Sequence, residues 1–205
     1  MKLFVSLAAL NSDQWPSFIA LLNTHVDGWH IDHTVHYSLP NLSKIRTYTD
    51  KPLWVHLMAP FPETEKLFPL TSTDFLTIQV ELFKNINEFK SLSEQTPIPI
   101  GIAWAPQTPL STIIPYLPHV PHITVMGVQP GASGQTFIDS TYARLAELYA
   151  LCWQHHAQLK VFIDGGITPT ICDQLPYQLL DHCAVGSFIA NSADPLQAVQ
   201  AFKRD

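Results

Sequence analysis

Short apolar runs alternate with helix-period segments from one end of the chain to the other. The runs fall at residues 2–7, 28–31, 52–57, 75–79, 98–103, 122–125, 160–163 and 183–186. They are too brief for helices and nearly continuous in Val, Ile, Leu, Phe and Trp, the pattern of strands buried on both faces. Helical patterns lie between and after them, at 13–22, 42–48, 63–68, 86–92, 110–116, 140–156, 169–175 and 195–203. In the longest, Leu145, Leu148, Tyr149 and Cys152 recur at helical spacing and predict one buried face. Eight strands, each followed by a helix, predict an α/β fold of the (β/α)8 barrel type. No linker, charge run or low-complexity stretch divides the chain, so residues 1–205 are read as one domain. The competing open, doubly wound sheet expects a glycine fingerprint after its first strand, and Ser6-Leu7-Ala8-Ala9-Leu10-Asn11 contains none.

Four ionisable residues interrupt this apolar pattern. They are His30 and Asp32 in Gly28-Trp29-His30-Ile31-Asp32, His56 in Leu53-Trp54-Val55-His56-Leu57, and Asp164 in Val161-Phe162-Ile163-Asp164-Gly165-Gly166. Each stands at the C-terminal end of a predicted strand, the end where (β/α)8 barrels place their chemistry. Burying such groups is costly unless they are paired or bind a metal. His30 and Asp32 are two apart and share one face of a strand, and His56 is one strand spacing of ~4.8 Å away. Together the four supply the ligand types of one divalent ion, with Zn, Mn, Fe and Co all suited to a mixed His and carboxylate set. Two carboxylates also suit proton transfer. His33 and His36 extend the first cluster and are read as loop residues at the pocket rim, and His155-His156 as an exposed helix end.

Glycine clusters follow the late strands: Gly131-Ala132-Ser133-Gly134 inside residues 127–135, Gly165-Gly166, and Gly186-Ser187. Glycine lets a backbone expose its N–H groups to a close ligand, and loops after strands seven and eight hold phosphate in many barrels.

Charge narrows the partners. The formal net charge is -6 with 11 Lys+Arg, which speaks against nucleic acid and leaves phosphorylated small molecules open. No run approaches the roughly 18 apolar residues of a membrane span, and the first residues read as a strand, not a signal peptide. Three cysteines without a CxxC pair read as reduced thiols of a cytoplasmic protein. The 17 prolines fall mostly between periodic segments, as loop punctuation.

Taken together, these blocks resemble the ribulose-phosphate 3-epimerase family over nearly the full length. The matching blocks are Ser6, His30-Ile31-Asp32 with Pro40-Asn41, Val55-His56-Leu57-Met58, Met126 through Gln135, Asp164-Gly165-Gly166 and Gly186-Ser187, in that order. The resemblance implies a TIM barrel of the ribulose-phosphate-binding type and one divalent metal on His30, Asp32, His56 and Asp164. It implies that Asp32 and Asp164 exchange the C3 proton of a ketose phosphate from opposite faces. Ser6 and His56 would touch the substrate, Met58 and Met126 would flank the planar intermediate, and Gly131, Ala132, Ser133, Gly134, Gly165, Gly166, Gly186 and Ser187 would surround its phosphate. The expected partner is therefore a sugar phosphate, with homo-oligomerisation left open.

The chain departs from the family pattern around this core. Thr34-Val35-His36 stands where Met-Asp-Gly is usual, Gln129 replaces Asn, Ala132-Ser133 replaces Phe-Gly, and Gln79 and Ala105 replace a usual His and Asn. These changes keep two rival readings open: an epimerase acting on a hexulose 6-phosphate, and an epimerase-derived sugar-phosphate-binding protein without turnover. A decarboxylating or aldol-cleaving barrel fits less well, because His56 stands where such barrels place a lysine or a carboxylate pair.

Overall fold

The protein is described here by a computed structural model covering residues 1–36, 38–60, 64–67, 69–154 and 159–203. Eight parallel strands pair in sequence order and the last closes on the first. They are β1 Lys2–Ser6, β2 Gly28–His33, β3 Leu53–Leu57, β4 Phe75–Gln79, β5 Ile100–Trp104, β6 His122–Met126, β7 Lys160–Asp164 and β8 His182–Val185. Parallel strands need crossover connections, and α-helices supply most of them: α1 Trp15–Leu22, α2 Leu42–Arg46, α3 Ile86–Ser93, α4 Leu110–Ile113, α5 Ser140–Gln154, α6 Pro169–Gln174, α7 Ser187–Ala190 and α8 Pro195–Gln200. Side chains of Asn41, Asn85, Thr168 and Asp194 cap the amino ends of α2, α3, α6 and α8 by accepting first-turn N–H groups. Among the described residues no helix is long and apolar enough to cross a membrane.

The expected elements are present, with shifted bounds. The helical pattern at 110–116 is α-helical only to Ile113 and continues as a 3-10 helix, Ile114–His119, because Pro115 and Pro118 cannot donate the α-helical hydrogen bond. The pattern at 63–68 is a single 3-10 turn, Thr64–Leu67; residues 63 and 68 lie outside the described residues, as do His155 and His156. Strand β5 begins at Ile100 and not at 98, after two prolines, Pro97 and Pro99, that have no N–H to give a ladder. Strand β2 runs two residues further than its apolar run, through Asp32 and His33. The short helix α7 and the 3-10 turns Val80–Leu82 and Tyr177–Leu179 were not expected from the pattern. On α5, Leu145 and Leu148 are buried, while Tyr149 and Cys152 are half-buried against the core.

Outward-facing strand residues and the helices form the main apolar layer, which includes Val5, Trp29, Ile31, Val55, Ile102, Val125, Ile163 and Val185. The barrel interior is different. Its lower half is an aromatic column in which Phe4 stacks on His182, His182 on Phe162 and Phe162 on His122, with centroid spacings of 5.0, 4.2 and 4.4 Å. Trp54 and Phe75 meet this column edge-on. Thr77 Oγ1 accepts from the Trp54 indole at 2.9 Å and lies 2.8 Å from His122 Nε2. Gly101 leaves the space for that imidazole: a Cβ there would sit 2.1 Å from His122 Nε2. Burial pushes both His122 and His182 down to about 3, so the column is neutral near neutral pH.

Candidate active site

The pairing register brings the four ionisable residues to one level of the barrel. Ser6 is opposite His30, Asp32 opposite His56, and Met126 opposite Asp164. Alternation along β2 turns His30 and Asp32 inward together while Ile31 faces the helices. One ligand atom from each of His30, Asp32, His56 and Asp164 can be chosen so that all lie within 4.8 Å of one another.

Their mutual contacts are close but incompletely satisfied. His56 Nδ1 is 3.1 Å from Asp164 Oδ2, His30 Nδ1 is 3.3 Å from Asp32 Oδ2, and His30 Nε2 is 3.7 Å from Asp164 Oδ2. Ser6 donates its hydroxyl to Asp32 Oδ2 at 3.0 Å and accepts the Ala8 N–H at 3.2 Å. Both ring nitrogens of His30, Nε2 of His56 and Oδ1 of Asp32 are buried without a hydrogen-bond partner of adequate geometry. Buried polar atoms are ordinarily paired. Unpaired atoms of metal-ligating types, in a quartet whose ligand atoms cluster this closely, fit a divalent ion held by these four side chains. Burial opposes charge on His30, but the Asp32 and Asp164 carboxylates outweigh it and hold the imidazolium up to about 9. Burial also works against ionisation of Asp32, and His30 beside it, helped by His56 and the Ser6 hydroxyl, keeps it below the usual carboxylate range.

Above this cluster opens a cavity of about 640 Å³ that merges with solvent. Ser6, Asp32, Met58, Met126, Gly131, Ala132, Ser133, Gly134, Asp164, Gly165, Gly166, Gly186 and Ser187 all line it. His30 and His56 do not; both are fully buried beneath the lining. Thr34, of the altered strand-two loop, and Val128, of the glycine block after β6, line it as well, while Ala8, Ile167 and Ala184 are lining residues that the sequence pattern does not mark. Thr34 is two residues beyond Asp32 and hence on the same inward face. Among the described residues the lining holds two carboxylates and no lysine or arginine.

The far wall is backbone. Gly165 and Gly166 have φ of +104° and +70°, and a Cβ on Gly166 would lie 2.6 Å from the Phe137 amide nitrogen. Gly131 and Gly134 have φ of +112° and +79° with open space where a Cβ would be. The Gln135 side-chain amide donates to the carbonyls of Gln129 and Ala132 at 2.7 and 2.8 Å and so folds this loop on itself. His33 Nε2 is 3.3 Å from the Pro60 carbonyl, and Gln79 is buried at the end of β4.

Residues 17–190 match the model of the ribulose-phosphate 3 epimerase family. The chain is 28% identical to a chloroplastic ribulose-5-phosphate-3-epimerase of Arabidopsis thaliana over 86% of this chain and 66% of that protein. It is 33% identical to a ribulose-phosphate 3-epimerase of Methanocaldococcus jannaschii over 69% of this chain and 63% of that protein. The matched region thus spans just under two thirds of each of these relatives. Among solved structures, KGPDC from Streptococcus mutans superposes with a TM-score of 0.73, covering 98% of this chain and 94% of that one at 14% identity, a likeness of fold.

Proposed function

Since the chain belongs to the ribulose-phosphate 3-epimerase family, we propose that it inverts C3 of a ketose phosphate, converting D-ribulose 5-phosphate to D-xylulose 5-phosphate. The observation that carries this reading is the placement of Asp32 and Asp164 on different strands, both lining one cavity and both within reach of the same two buried histidines.

A C3 epimerisation needs a base on one face of the carbon and an acid on the other. One aspartate removes the C3 proton, leaving an enediolate. The other, protonated beforehand, returns a proton to the opposite face. The product has inverted C3, and the two carboxyl groups have exchanged protonation states, ready for the reverse direction. Bound by His30, Asp32, His56 and Asp164, a divalent ion would supply Lewis-acid polarisation of the ketose oxygens. Ser6 keeps Asp32 in place by its hydrogen bond. Met58 and Met126 give the cavity apolar walls, while Gly166, Gly186 and Ser187 line it on the side where backbone N–H groups would be the neutral donors for a phosphate.

The test is to incubate the protein with D-ribulose 5-phosphate and added Mn or Zn in deuterated water. Xylulose 5-phosphate should form with deuterium at C3, and Asp32→Asn and Asp164→Asn should each abolish both. Unchanged exchange in both variants removes their roles. Tight binding of the sugar phosphate without product moves the chain to a binding protein, and turnover only of a hexulose 6-phosphate moves the substrate.

A further inference from the structure

We propose that Arg144 is a positioning residue for Asp164, acting through the peptide that joins Met126 to Gly127. Arg144 lies on α5, outside the cavity, and is 7% exposed. Its Nη1 donates to the Met126 carbonyl at 2.9 Å, and its Nη2 to the Trp104 and Ala105 carbonyls at 2.7 and 2.9 Å. The guanidinium carbon sits 4.0 Å from the centroid of the Trp104 ring. Burial lowers the guanidinium to about 10, with Glu81 and Glu147 opposing, so it stays cationic at neutral pH. Burying such a charge is costly, and carbonyls and a ring face here take the place of a paired carboxylate.

What the cation holds is the unit next to the reacting group. The Met126–Gly127 peptide accepts from Arg144 at its oxygen, and its N–H donates to the Asp164 carbonyl at 2.7 Å. The unit is packed close against the Asp164-Gly165 backbone: a Cβ on Gly127 would lie 2.4 Å from the Gly165 oxygen. Tilting the peptide therefore moves Asp164. Displacements of about 1 Å at a reacting group cost on the order of 100-fold in rate, and outer-shell partners of metal ligands commonly change affinity by about 10- to 100-fold. A lysine keeps the charge but lacks the planar fork whose two terminal nitrogens reach the three carbonyls here.

This inference rests on the reading of Asp164 as proton-transfer group and metal ligand, and its test separates the two. In Arg144→Lys with an unchanged circular dichroism spectrum, kcat for ribulose 5-phosphate should fall about 10-fold with KM within about twofold, and Mn2+ affinity measured calorimetrically should weaken about 10-fold. Arg144→Ala supplies a second measurement. Added guanidinium ion should restore part of its Mn2+ affinity and turnover, and sodium at equal ionic strength should not. Unchanged kcat and Mn2+ affinity in a folded Arg144→Lys protein overturns the proposal. So does a folded Arg144→Ala protein that guanidinium does not rescue. A wild-type protein without turnover would sink the epimerase reading alone, since the Mn2+ measurements still decide the place of Arg144.

Discussion

His56 Nδ1 and Asp164 Oδ2 lie 3.1 Å apart, joining β3 to β7 across the barrel mouth although 108 positions separate them in the chain. No local interaction brings them together; the closed ring does. In the proposed site His56 is one of the four ligands of the ion. His56→Asn should weaken Mn2+ or Zn2+ binding by at least about 10-fold and shrink the rise in Tm that either ion produces. Calorimetric titration and thermal scans with and without the ion check both. An ion-induced rise equal to that of the wild type would take His56 out of the ligand set.

The aromatic column makes stability depend on pH. His122 and His182 are held to about 3 in the folded protein, against about 6.5 when unfolded. Between those values the unfolded chain binds more protons, so their contribution is fully present above pH 6.5 and is lost as the pH falls below it. The neighbouring groups oppose protonation further, His182, Lys160 and His56 at His122 and Lys2, Lys160 and the N-terminal ammonium at His182, while a backbone hydrogen bond at Asp181 favours it at His182. Each histidine can cost at most ~1.4 kcal/mol per pH unit on this slope. Urea unfolding at pH 7 and pH 5 should show the loss, and His182→Phe, which keeps the stack and cannot be charged, should show a smaller one. Equal losses in the two proteins would exclude His182 as a source.

Two glycines of the cavity wall should respond unequally to alanine. At Gly166 the left-handed backbone costs ~1–2 kcal/mol, and the added carbon would meet the Phe137 nitrogen at 2.6 Å. At Gly131 the carbon meets open space and only the backbone strain remains. Gly166→Ala should lower Tm more and raise KM for the sugar phosphate by about 10-fold, a loss of ~1.4 kcal/mol in binding. Steady-state kinetics beside a thermal scan settle the ranking; a larger KM effect at Gly131 would reverse the assignment of the phosphate wall.

Gly101→Ala should be among the most damaging single-carbon changes in the barrel, because the new methyl would overlap the His122 ring at 2.1 Å. Overpacking of this kind costs ~1–3 kcal/mol or more. Adding His122→Ala to Gly101→Ala should recover part of that loss, a coupling that a double-mutant cycle measures directly. Strict additivity would mean that the ring moves aside at no cost.

The chain order and the quartet at the barrel mouth were legible because they break a simple rule. His30, Asp32, His56 and Asp164 stand at the ends of runs that are otherwise apolar, and period-two alternation puts His30 and Asp32 on one face. The interior column was not legible. His122 and His182 open their strands, where a polar residue is unremarkable, and the clearance that Gly101 gives to His122 depends on a neighbouring strand's register. Arg144 was hidden for a related reason: on a helix-period pattern it counts as a polar position, and only the tertiary fold turns it inward against three carbonyls. The prolines at 115 and 118 did carry a readable warning that the fourth helix would tighten into a 3-10 turn.

Closure of the strand ring has a consequence for assembly. The first four strands bring three of the quartet, His30, Asp32 and His56, and the last four bring Asp164 together with the glycine wall. Neither half-barrel carries all four ligands proposed for the ion. On that proposal ion capture is a gauge of completed folding: a fragment that has formed its own strands and helices but not met its complement should stay silent to the titrant.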